Sequence, residues 1–321
     1  VLAPRKGVDA SRHISRVLMR YRYKVDYIPV VDMNRKEDAI KTLTEAFSTS
    51  GFLYIKNSKL KPNIITKGLH DAKRFFTDET DFQKSAITKI EANGKGYYQY
   101  HGKGLGEVGS DAAIEAFLMG KDIEEPGALK REYFKNSGYN DDKAWWDLVN
   151  RPNQWPDEQF QNNMNTLWNS CSETTLQMLT LMGEALGKEK DYFTNMHSHM
   201  DANLELKLYH ANEDKTPSVR VKSHADLTSI TLLMQDFGGL EVYDTKNSIW
   251  CKVPVVEDAV LVNTGNIMEM WTNGEFKSAK HRVVSEGDSP ARSSIVFFAI
   301  PDWHARLKVG EYDMVGDVYP M

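Results

Sequence analysis

Cysteine is nearly absent from this chain: its 321 residues include only Cys171 and Cys251, far apart and each among apolar neighbours. Two such residues build no disulfide framework, so the fold must rest on a packed core, and a reducing compartment is expected. Long apolar runs are missing as well, and none approaches the roughly 18 residues that suggest a membrane span. A net charge of -5 leaves no broad basic footprint for nucleic acid, so the partner expected is a small molecule. No internal repeat, low-complexity tract or linker-like break interrupts the sequence. At 41% hydrophobic residues it can bury a full core.

One segment departs from this balance. Residues 1–26 form a basic N-terminal extension in which Arg5, Lys6, Arg12, Arg16, Arg20, Arg22 and Lys24 greatly outnumber the acids. It reads as a solvated basic helix on the domain, with the remnant of an Arg-rich targeting segment as the alternative. The expected location is therefore cytoplasmic, or an organelle under that alternative. Residues 27–321 read as a single domain, monomeric or weakly dimeric: a helix-rich part over 27–200, a β core over 201–305 and a tail over 306–321.

Within the helix-rich part, Tyr27 to Val31 reads as a short edge strand because of Pro29. Asn34 and Glu37 suggest a capping box for a helix carrying Ile40, Leu43 and Phe47 and ended by Gly51. Phe52 to Ile55 reads as a strand, and Ile65, Leu69, Ala72, Phe75 and Phe76 mark a second helix. The glycines from Gly94 to Gly109 among Tyr97, Tyr98, Tyr100 and His101 suggest a flexible loop, and they fit neither nucleotide fingerprint. With the charged, aromatic 121–156 stretch they make 93–156 a lid-like excursion. Pro156, Asp157 and Glu158 open the longest helix, whose stripe from Met164 to Leu186 is core and whose end is Gly187.

From Asn203 the period changes to two. Asn203, Glu205, Lys207 and Tyr209 alternate with Leu204, Leu206 and Leu208, and a solvated polar face on an edge strand is the default reading. Further strand-like runs at 228–234, 240–243, 249–253, 259–262, 281–284 and 293–300 point to a sandwich or barrel. The fold class is mainly β with flanking α-helices.

Two imidazoles and one carboxylate suit a non-haem ferrous ion and leave positions open for oxygen and a co-substrate. His224 and Asp226, one position apart on a strand, project to the same face, and His281 is expected from a strand across the barrel. His197, His199 and Asp201 form a rival cluster at a loop. Arg292 offers a guanidinium fork to a carboxylate, and Ser294 adds a hydroxyl on the same strand face. These suit the far end of a dicarboxylate, with Tyr209 donating to the same molecule. Lys207, Glu205 and Asn203 then face a polar, zwitterionic substrate.

Several ordered motifs resemble the 2-oxoglutarate and Fe(II)-dependent oxygenases of the isopenicillin N synthase-like group. They are Ile28 to Asp32, Ala46-Phe47 through Gly51-Phe52, His224-x-Asp226, Gly238 to Val242, Trp250 with Val253-Pro254, Val262 to Gly265, Lys277-Ser278 leading to His281-Arg282-Val283, and Arg292-x-Ser294. The resemblance implies a double-stranded β-helix, or jelly roll, with iron on His224, Asp226 and His281. Arg292, Ser294 and Tyr209 would bind 2-oxoglutarate. Departures fall at Lys207 to His210, where the family often has Asn, Tyr, Tyr, Pro, and at Asn266, where Asp is common.

The implied reaction couples oxidative decarboxylation of 2-oxoglutarate to O2-dependent oxidation of an unactivated C–H bond. The expected substrate is a small, amino-acid-derived or carboxylated metabolite of specialised metabolism. Hydroxylation, desaturation and ring closure of the kainoid type are the outcomes considered. A 2-oxoglutarate-independent iron oxidase and a non-catalytic jelly-roll binding protein are the alternatives.

Overall fold

A computed structural model describes residues 28–87, 95–100, 114–122, 152–212, 216–302, 305, 307–309 and 312–314. The basic extension and most of the lid-like stretch lie outside the described residues, as do His101 and His304. Fourteen strands appear among those described: β1 (Val30–Asp32), β2 (Phe52–Lys56), β3 (Gly96–Tyr100), β4 (Ile114–Gly120), β5 (Ala202–Tyr209), β6 (Ser218–His224), β7 (Ile230–Gln235), β8 (Leu240–Asp244), β9 (Ile249–Lys252), β10 (Val260–Thr264), β11 (His281–Ser285), β12 (Arg292–Ala299), β13 (Leu307–Val309) and β14 (Tyr312–Met314). The helices are α1 (Lys36–Thr49), α2 (Pro62–Asp78), α3 (Asp81–Ala86), α4 (Glu158–Ala185) and α5 (Asn266–Trp271).

An eight-stranded sheet in the order β1-β2-β10-β7-β12-β5-β4-β3 is accompanied by a four-stranded sheet in the order β6-β11-β8-β9. The β1–β2 pair is parallel, whereas the other ladders of these two sheets are antiparallel. Alternation along the strands divides the interior in two. Leu53 and Ile55 on β2, Leu204, Leu206 and Leu208 on β5, and Ile295, Phe297 and Ala299 on β12 join one core cluster with residues of α1, α2 and α4. Their strand neighbours Phe52, Tyr54 and Tyr209 join the other, with Leu240, Val242 and Val283 of the smaller sheet. Helices therefore cover one face of the large sheet, and the small sheet supplies residues packed on the opposite face. This is the jelly roll.

The polar face of β5 is not a solvated edge. The strand pairs with both β12 and β4, which puts Glu205 and Tyr209 in the interior, at 6% and 5% exposure. The Gly-rich stretch also differs from the loop expected: Tyr97 and Tyr98 lie on β3, paired with β4, so part of 93–156 extends the large sheet. Gly96 takes φ +118 at the start of that strand, a conformation glycine tolerates without a Cβ penalty.

Asn34 does not cap α1. Its backbone N–H donates to Asp32 Oδ1 at 3.0 Å, which turns the chain one step earlier, and Arg35 is the N-cap. For α4, Asp157 accepts from the Phe160 N–H at 2.7 Å, and Gly187 ends the helix region at φ +65. Cys171 and Cys251 are both buried, and neither forms a disulfide. No described helix is long and apolar enough to cross a membrane.

Candidate metal centre

His224 is the last residue of β6 and His281 the first of β11, and the two face each other directly in the antiparallel ladder. Sequence reasoning expected His281 from across the barrel; it comes instead from the adjacent strand of the same sheet. Asp226 is not on the strand with His224 but in the turn beyond it. That turn is fixed by its own backbone, because the Asp226 carbonyl accepts from Asn266 N–H at 2.8 Å. Gly265 permits the approach: a Cβ there would stand 2.4 Å from Thr228 O and 2.7 Å from Asp226 O.

The two imidazoles are aimed alike. His224 Nδ1 lies 2.9 Å from the Lys222 carbonyl and His281 Nδ1 3.2 Å from that of Ala279. A carbonyl can only accept, so each Nδ1 carries a proton and each Nε2 is the nitrogen turned toward Asp226, where a bound cation would take its lone pair in place of a proton. Those Nε2 atoms lie 3.6 and 3.4 Å from Asp226 Oδ1, and one ligand atom from each residue falls within 4.8 Å of the others. Asp226 Oδ2 is held from the large sheet by Asn263 Nδ2 at 2.8 Å. Burial works against ionisation of Asp226, but the His281 charge and the bonds from His224, His281 and Asn263 outweigh it and hold the carboxyl well below its usual range. Burial likewise opposes charge on His281, and Asp226 overcomes it, so that imidazole is raised.

Two nitrogen donors and one oxygen donor, converging from one side and leaving the other open, fit a ferrous ion better than a closed structural site. Among the described residues no other group of three such side chains meets this test. The rival cluster does not assemble: buried His197 spends both ring nitrogens on Phe193 O at 2.7 Å and Ser229 Oγ at 2.9 Å.

A cavity of about 70 Å³ runs from the His-Asp-His cluster to Arg292 and Ser294. Arg292 and Tyr209 are cross-strand partners, the guanidinium carbon 4.6 Å from the ring centroid. Arg292 donates through Nη2 to Gln235 Oε1 at 2.8 Å and through Nε to Phe237 O at 3.2 Å. Its Nη1 and the Ser294 hydroxyl are buried without a hydrogen-bond partner in the protein. Buried donors of this kind call for an acceptor, and a carboxylate satisfies both at once.

Lys207, opposite Ser294 in the ladder, also lines this cavity and pairs with Glu205 at 2.7 Å. Glu205 in turn accepts from the Tyr98 hydroxyl. Asn203 stands exposed at the start of β5, outside the cavity lining. Sequence reasoning gave no role to Asn263, Gln235 or Arg220. Asn263 carried a signal, since it sits in the Val262–Gly265 motif, and a polar residue inside an apolar strand run needs a partner.

Comparison with known proteins adds two family matches. Residues 195–301 match the 2OG-Fe(II) oxygenase superfamily, and residues 28–158 match the N-terminal region of non-haem dioxygenases in morphine synthesis. The chain is 28% identical over 284 residues to the proline hydroxylase buaE of Petromyces alliaceus, covering 83% of this chain and 82% of that protein. It is 29% identical over 280 residues to the 2-oxoglutarate-dependent dioxygenase gloF of Glarea lozoyensis, covering 81% of each. The crystal structure of a full-length Neurospora crassa protein in complex with alpha-KG and thymine superposes with a TM-score of 0.72 at 23% identity, over 92% of this chain and 90% of that one.

Proposed function

Because this chain belongs to the 2OG-Fe(II) oxygenase superfamily, we propose that His224, Asp226 and His281 hold its ferrous ion and that Arg292, Ser294 and Tyr209 seat the distal carboxylate of its 2-oxoglutarate. The family establishes an Fe(II)- and 2-oxoglutarate-dependent oxygenase. Bound at this site, the iron supplies the oxygen chemistry that couples decarboxylation of 2-oxoglutarate to oxidation of a C–H bond. The protein's share is placement. Lys222 and Ala279 carbonyls fix the imidazole tautomers, and Asn263 keeps one Asp226 oxygen turned away from the Nε2 pair. Arg292 and Ser294 sit at the other end of the cavity, so a dicarboxylate spanning it is oriented before reaction.

The substrate we propose is an amino-acid-derived or carboxylated small molecule in specialised metabolism. Lys207 and Glu205 carry it: an ammonium and a carboxylate side by side can exchange their mutual pair for the two ends of a zwitterion. The named activity of buaE on proline supports the same class. Hydroxylation, desaturation and kainoid-type ring closure share this placement and differ in the fate of the oxidised carbon.

The observation that carries the reading is the pairing of three converging ligand atoms with the unpartnered Arg292 Nη1 and Ser294 Oγ in one cavity. Anaerobic titration with Fe(II) and 2-oxoglutarate tests it. A visible charge-transfer band is expected in the intact protein and should disappear in Arg292→Ala at the same 2-oxoglutarate concentration. Absence of the band in the intact protein, or turnover without succinate, overturns the reading.

A further inference from the structure

A second and larger cavity, of about 440 Å³, lies at the opposite ends of the two ligand-bearing strands. His224 closes β6, whereas Arg220 stands four positions earlier; His281 opens β11, whereas Val284 and Ser285 end it. The cavity meets the iron-side one at Tyr209, Val283 and Arg292. Phe237, Val253, Pro254, Val284 and Pro290 make most of its wall apolar. Its volume falls in the range of small-molecule sites.

Two guanidinium groups line it, Arg220 at 7% exposure and Arg292 at 5%. Arg220 donates through Nη2 to the His210 carbonyl at 2.7 Å, while its Nε is buried with no partner. The recorded acceptors of both arginines are neutral carbonyl oxygens. Three acids also line the cavity, but Glu241 is taken by Arg282, at 2.7 Å, Glu286 by Lys252, and Asp288 is exposed at the rim with no ion pair to either arginine. Two desolvated cations without a carboxylate are costly, because a buried charge needs a paired partner. The distal carboxylate of 2-oxoglutarate answers one of them, Arg292. Arg220 is left.

We infer that this cavity is a second ligand site, for an apolar monocarboxylate whose carboxylate pairs with Arg220 and whose body lies against Phe237, Val253 and Pro290. The assignment rests on the reading above only in giving Arg292 to 2-oxoglutarate.

Calorimetric titration of 3-phenylpropionate into the full chain, once metal-free and once saturated anaerobically with Fe(II) and 2-oxoglutarate, tests it. Saturable one-site binding is expected in both states, with 3-phenylpropionamide at least tenfold weaker. Arg220→Gln should weaken 3-phenylpropionate at least tenfold while 2-oxoglutarate affinity, read from the charge-transfer band, stays within twofold. Val284→Phe, which fills the cavity without touching a charge, should weaken it comparably. No saturable binding, equal binding by both variants, or strict competition with 2-oxoglutarate overturns the inference. Loss of the band with intact 3-phenylpropionate binding would instead overturn the co-substrate assignment and leave this site standing.

Discussion

Replacing His197 with Asn separates a core histidine from a metal ligand. The ring is 1% exposed, stacks on Trp271 at an interplanar angle of 19°, donates through Nδ1 to Phe193 O and accepts at Nε2 from Ser229. Protonating Nε2 would turn that last bond round, with the Ser229 hydroxyl accepting, and would place a charge on a fully buried ring. Burial accordingly pushes the imidazole down from 6.5 to about 4, against a small opposing effect of the Phe193 bond. A histidine depressed on folding stabilises the native state fully above its unfolded pKa of 6.5 and progressively less as pH falls toward 4. At 1.36 kcal/mol per unit, the full interval is worth about 3 kcal/mol. His197→Asn keeps a donor for Phe193 O but loses the ring, so it should be less stable at pH 7.5 by about 2 kcal/mol.

The informative quantity is the change in that difference. Urea unfolding at pH 7.5 and 4.5 should show the wild type losing about 2–3 kcal/mol more than the variant, carboxylate contributions common to both cancelling in the subtraction. Iron stoichiometry should be unchanged. Parallel stability profiles would refute the burial argument, and loss of bound iron would return His197 to the list of ligands.

Three other outcomes are expected. Gly265→Ala forces a methyl against Thr228 and the Asp226 carbonyl, so iron affinity, measured by competition with a chelator, should fall at least tenfold, with about 1–3 kcal/mol lost in stability from overpacking. Asp302 is raised to about 6 by burial and then by Asp201, so its ionisation destabilises the fold; its contribution to stability should fall as pH rises from 4 through 6, and Asp302→Asn should therefore gain in Tm relative to wild type from pH 4.5 to pH 7. Lys207→Met should leave the Fe(II) and 2-oxoglutarate band intact while raising KM for a carboxylated substrate about tenfold or more; loss of the band would move Lys207 to the co-substrate.

The strands that carry regular alternation, β5 and β12 above all, were legible in the sequence, as were the helix opened by Asp157 and the three metal-ligand candidates. Other features were legible only as residue types. His224-x-Asp226 suggested one strand face, but the strand ends at His224, and the aspartate is placed by hydrogen bonds from Asn266 and Asn263, far along the chain. The sequence placed His224 on a strand but showed no run over 218–223, because Arg220, Lys222 and Ser223 interrupt any apolar pattern; Arg220 and His224 of β6 line cavities. Which strand lies beside which is set by tertiary pairing, and so the adjacency of His224 and His281 had no sequence signal.

The pairing of β5 with β12 explains why the polar end of the site is built so reliably. Its register runs unbroken from Arg292 opposite Tyr209 to Ala299 opposite Ala202. On one face, Leu204, Leu206, Leu208, Ile295 and Phe297 pack beneath the helices. On the other, Lys207, Tyr209, Arg292 and Ser294 line the cavity. Because side chains alternate with a period of two, a slip of one residue by either strand would drive its polar set under the helices and its leucines or phenylalanine into the cavity. Hydrophobic burial on one face thereby fixes the positions of the polar groups that line the cavity on the other.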